Sequence, residues 1–212
     1  MQHLKALAQP WWVNLLALIP FIAWAVWRGK RLVISGRQLI LLAVFAGAFG
    51  FVESSVVIYL RAATGLLPGY HGTLSDIRRS SAESYEQEKS ISEFPESLLK
   101  IEVFREVATM VMLTTVALLG GIGTRERCAI FLWTFAIWDL MYYAGLWATV
   151  RWPSSLKDLD VLFLIPVPWV SQVWFPILIS VLTLVAVLAV WKRGGPVGVG
   201  TLDSARDDRP SG

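Results

Sequence analysis

Residues 38–60 read QLILLAVFAGAFGFVESSVVIYL, an uninterrupted apolar run that carries a single charge, Glu53. At about 1.5 Å per residue, a helix of that length spans about 34 Å, more than the roughly 30 Å of a bilayer's hydrocarbon core. A helix also satisfies its own backbone hydrogen bonds, which lipid cannot do for it. This one stretch therefore sets the solvent. The totals agree: 55% of the 212 residues are hydrophobic and 17% are charged, with a mean hydropathy of +0.56, where soluble domains have about 25% charged residues.

Working outward, four further runs are nearly free of charge, and the spans are expected at about 11–27, 38–60, 101–122, 128–150 and 173–191. Pro10 suits the first turn of the first span, and Pro20 inside it is expected to kink the helix. The third span begins near Pro95 and closes at Gly120-Gly121. The last uncharged run, 161–191, is broken by Pro166, Pro168 and Pro176. It reads as a re-entrant or interfacial segment at 161–170 followed by one span. The fold class is thus an all-α polytopic transmembrane bundle over residues 1–193, with five spans and this proline-rich segment. Residues 61–100 form the one long polar loop. Residues 194–212, rich in Gly, Asp and Arg, read as a disordered tail.

Basic residues set the orientation. With five crossings, Arg28, Lys30, Arg31 and Arg37, then Arg125 and Arg127, then Lys192 and Arg193 all fall on one side, which the positive-inside rule makes cytoplasmic. Six crossings would force one group across. The expectation is a bacterial cytoplasmic (inner) membrane, with the N-terminus and loop 61–100 outside and the C-terminus in the cytoplasm. Trp11, Trp12, Trp147, Trp152, Trp169 and Trp174 would mark the outer interface, Trp27 and Trp191 the inner one. Lys5 precedes the first apolar run without a small-residue cleavage site, the pattern of a retained helix.

Several function classes fall away. Basic residues flank spans instead of forming a nucleic-acid face. Cys128 is the only cysteine, so neither an intramolecular disulfide nor a cysteine-based metal site can form; it reads as a small apolar filler. No phosphate loop, nucleophile elbow, histidine box or Cys-x-x-Cys is present, and the Glu-x-x-His pairs of di-iron bundles are missing. His71 reads as an exposed loop residue, and Asp158 and Asp160 as caps.

The informative residues are the charges left inside the spans, each of which costs about 2.5 to 3.5 kcal/mol at mid-bilayer and so needs a partner. Glu53 shares a helical face with Ala46 and Gly50, whose small side chains invite a neighbouring helix. Glu102, Arg105, Glu106 and Thr109 form one stripe at i, i+3, i+4 and i+7. Asp139 shares its face with Tyr142 and Tyr143. Under five spans these residues lie in the outer half of the membrane with Asp139 as the floor, an outward-facing pocket. Arg61 is a second candidate cation for it, although Tyr59 and Arg61 read first as interfacial anchors.

Four acids against Arg105 require a proton or a cation in compensation. Three readings follow. One is a non-catalytic structural or interaction subunit whose polar cluster fixes helix packing and whose loop 61–100 meets a protein partner. Another is a small membrane enzyme or carrier that binds a cation or handles protons, with Glu53, Glu102, Glu106 and Asp139 as ligands for a divalent metal and Arg105 as charge partner. The third is an enzyme acting on a membrane lipid or other apolar substrate, with Asp139 or Glu106 as general base and Tyr142 or Tyr143 as acid.

Overall fold

In a computed structural model, residues 8–30, 32–63 and 96–193 are described. Loop 64–95, with His71, and the tail beyond residue 193 lie outside them, as does the Arg61 side chain. The chain is an integral membrane protein built on four helices long and apolar enough to cross a bilayer: Gly36–Leu60, Leu98–Gly120, Thr124–Val150 and Trp174–Lys192. These belong to α2 (Gly36–Ala63), α3 (Glu96–Gly120), α4 (Thr124–Val150) and α5 (Trp174–Arg193). They match four of the five expected spans to within four residues.

The first apolar run, Trp11–Trp27, is shorter and changes helix type midway. Trp11–Leu18 is a 3-10 helix and Ile19–Trp27 (α1) is α-helical. Pro20 is the reason. It has no N–H to give, and its ring would clash with the carbonyl four residues back, so the preceding residues wind as i to i+3 turns and Pro20 sits in the first turn of α1. The expected kink is thus a change of winding. At about 2.0 Å per 3-10 residue and 1.5 Å per α residue, the element is about 30 Å long.

α4 is the central helix, packed against α2, α3 and α5, while α1 packs on α5. The α2–α4 crossing is made close by glycine. A Cβ on Gly50 would lie 2.5 Å from the Trp138 carbonyl oxygen, and one on Gly145 would collide with Ser54. Ala46 is fully buried beside them. α3 stands off: its backbone packs on α4, and only 17% of its apolar window is buried.

The proline-rich segment forms an antiparallel hairpin, β1 (Leu159–Phe163) with β2 (Trp169–Gln172), the one departure from an all-α chain among the described residues. Pro166 and Pro168 cannot donate backbone hydrogen bonds, and the flanking Val161, Phe163, Trp169 and Val170 favour strand. The exposed edge is covered by the N-terminal segment, because Gln9 and Val170 exchange two 2.8 Å backbone hydrogen bonds. The hairpin sits where α4 ends and α5 begins. Trp152 and Val173 pack there with Ile58, Tyr143 and Val150. At the opposite end Trp27, Leu39, Ala117, Ile130 and Val190 form a second cluster, and the Trp191 indole donates to Ile34 O at 2.8 Å. Arg28, Lys30, Arg37, Arg125, Arg127 and Lys192 follow or precede elements that end there.

Candidate functional site

The stand-off of α3 leaves a cavity of about 700 Å³ whose wall includes α2, α3, α4, α5, the N-terminal helix and the hairpin. Glu53, Glu102, Arg105, Glu106, Asp139, Tyr142 and Tyr143 all line it. The stripe on α3 and the faces named on α2 and α4 therefore meet one space, although the acids bind different partners.

Arg105 is the hub at one side. Its Nη1 pairs with Glu53 Oε2 across the α2–α3 gap, and its Nε and Nη2 donate to Glu102 Oε2 at 2.9 and 2.8 Å. The Thr109 hydroxyl donates to the other Glu53 oxygen at 2.6 Å. Glu53, Glu102 and Thr109 are buried. A hydrogen-bonded charge pair of this kind compensates much of the cost of removing each ion from water.

Glu106 points to a different partner. Both its oxygens accept from the Leu164 backbone N–H, at 3.1 and 2.9 Å, just beyond β1. This donor would otherwise be an orphan at the end of the strand. Since Glu106 lies eight residues beyond Leu98, the hairpin tip meets α3 about 12 Å along the apolar helix.

Asp139 accepts from the Ser180 hydroxyl at 2.8 Å, joining α4 to α5. Tyr143 is not its partner. The Tyr143 hydroxyl donates to Asp160 Oδ2 at 2.5 Å, and Tyr142 stacks with Trp138, ring centroids 6.4 Å apart.

The two aspartates read as caps divide their roles. Asp158 is a cap: its Oδ2 accepts from the N–H and hydroxyl of Ser154 and from the Ser155 N–H at 2.8 to 3.0 Å. Asp160 is 1% exposed and belongs to the cavity wall. Ser180 was likewise not legible as a site residue. The available signals were a second acid where one cap suffices, and a pair of hydroxyls, Ser180 and Thr183, in an apolar run.

Among the described residues no group of three or more His, Cys, Asp or Glu side chains comes together that could hold a metal ion. Glu53 and Glu106 engage both carboxylate oxygens, and Glu102 and Asp139 one each, with a guanidinium, a hydroxyl or a backbone amide. Tyr59 is 70% exposed, as an interfacial anchor would be, and Cys128 is a free, exposed thiol.

The rest of the wall is apolar and aromatic. Phe135 packs with Trp138 and Phe163, and Phe163 with Trp169, at centroid distances of 5.5, 6.4 and 5.3 Å. The indole N–H groups of Trp138 and Trp169 are buried without an acceptor among the described residues. No family model, curated protein or solved structure matches this chain.

Proposed function

We propose that the protein is a small membrane carrier or enzyme of five crossings whose outward-facing pocket, in the outer half of the bilayer, takes up a lipid-soluble amphipathic molecule. The observation that carries this reading is the cavity itself. Its volume suits a small organic ligand, and an apolar wall with a few convergent polar groups is the usual form of such a site. A divalent metal is disfavoured by the engagement of each carboxylate with an organic donor.

The crossing count rests on the N-terminal helix. It is about 30 Å long by its mixed winding, with Gln9 at the hairpin end and Trp27 in the cluster at the basic end. The positive-inside rule then puts the basic end in the cytoplasm and the hairpin outside. In that frame, the hairpin is a re-entrant lid. Asp139 and Glu106, with the phenols of Tyr142 and Tyr143, are the groups that would exchange protons with a bound molecule. The Arg105 network has a structural role as well, since it holds α3 to α2.

The test uses protein in lipid nanodiscs and the neutral apolar fluorophore N-phenyl-1-naphthylamine. The native chain should show one saturable site beyond the partitioning seen with empty discs, and Thr183→Phe, which fills the wall from α5, should lose it. Partitioning equal to that of empty discs would contradict the reading.

A further inference from the structure

The lining of the cavity is unbalanced in charge. Glu53, Glu102, Glu106, Asp139 and Asp160 face it, and among the described residues Arg105 is the single cationic side chain in its wall. All five acids are buried. Arg105 hydrogen-bonds Glu53 and Glu102, and among the described residues the hydrogen-bond donors to Glu106 and Asp139 are neutral. In a medium of low dielectric such a site attracts positive charge strongly. Aromatic faces stand beside the acids: Trp138, Tyr142, Phe135, Phe163 and Trp169 all line the same space, and aromatic rings attract organic cations, more so once these are desolvated. Trp138 is 8% exposed, and its buried indole N–H has no acceptor among the described residues.

The route into the cavity has its own chemistry. On α3, Val107 and Val111 line it yet are 44% and 57% exposed. Leu16 and Ile19 of the N-terminal helix line the same cavity, and α3 and this helix lack substantial backbone packing against each other. A gap between these two apolar helix faces would be a route into the cavity. On the proposed topology it opens to lipid.

We infer that the ligand is a lipophilic organic cation that enters sideways from the bilayer between α3 and the N-terminal helix and lodges its charge among Glu106, Asp139 and the aromatic wall. This rests on the pocket reading above and narrows it to a ligand class. An anionic lipid headgroup would meet the excess of carboxylates and be rejected.

Two ions of nearly equal size and opposite charge provide the test. In the same nanodiscs, tetraphenylphosphonium should displace N-phenyl-1-naphthylamine saturably, and tetraphenylborate at equal concentration in the disc should not. Glu106→Gln keeps an acceptor for the Leu164 N–H and should weaken tetraphenylphosphonium binding at least tenfold, with thermal unfolding of the variant followed in parallel. Equal displacement by both ions, or by neither, overturns the cation inference while leaving the pocket reading intact. Absence of any saturable site for the neutral fluorophore overturns both.

Discussion

Arg105 on α3 is paired with Glu53 on α2, and the two helices it joins make little direct backbone contact with each other. A side-chain bridge thus does the work that close packing does at the α2–α4 crossing. Removing the guanidinium leaves two buried carboxylates uncompensated, which costs about 3 kcal/mol or more. Arg105→Met should therefore unfold at markedly lower temperature or denaturant concentration. The triple change Arg105→Met, Glu53→Gln and Glu102→Gln should recover most of the loss, because the two carboxylates that lost their partner are then neutral amides.

The α2–α4 crossing makes a sharper comparison within one helix. Gly50→Ala places a methyl 2.5 Å from a backbone carbonyl, whereas Gly47→Ala meets only Met141 Cγ at 3.6 Å, ordinary contact. Gly50→Ala should lose about 1 to 3 kcal/mol by overpacking, and Gly47→Ala should stay within about 0.5 kcal/mol of the native chain. Chemical unfolding of both in one detergent measures the difference.

These two glycines also show what can be read from sequence. Four of the spans were legible because hydropathy and length decide them without tertiary information, and the shared face of Ala46, Gly50 and Glu53 pointed to a helix neighbour. The Glu102–Arg105 pair was legible for the same reason, being local to one helix. The hairpin was not. Val170 pairs with Gln9, a partner 161 positions away that no local pattern announces, and the prolines excluded a helix without naming the alternative. Pro20 was read as a kink because its effect on helix type depends on how the preceding turn can rewind. A pocket was expected from the shared depth of the intramembrane charges, but its size and mostly apolar wall were beyond reach, since they depend on how the helices pack.

The Tyr143–Asp160 hydrogen bond links α4 to β1 between two buried side chains. Tyr143→Phe leaves a buried carboxylate oxygen without this donor and should cost about 1 to 3 kcal/mol. A double-mutant cycle with Asp160→Asn should return a coupling of at least about 0.5 kcal/mol. A coupling near zero would mean that the two groups do not interact in the folded protein.

Topology can be checked with single cysteines in a Cys128→Ser background. Lys157→Cys, exposed beside the hairpin, should react with a membrane-impermeant maleimide on intact cells. Gly29→Cys, where an added Cβ meets nothing within 4 Å, should react only after the membrane is opened. The reverse pattern would invert the orientation and make the pocket open toward the cytoplasm.

The central claim is that lipid-soluble molecules occupy the interior of this bundle and not merely its surface. Photolabelling in native membranes with an alkylammonium probe bearing a diazirine on its chain, followed by peptide mapping, tests it most directly. The account predicts adducts on Phe135 and Ile179 of the cavity wall that excess tetraphenylphosphonium suppresses. Adducts confined to outward positions such as Ile40 and Leu119, which are 65% and 83% exposed, and unaffected by the competitor, would contradict it.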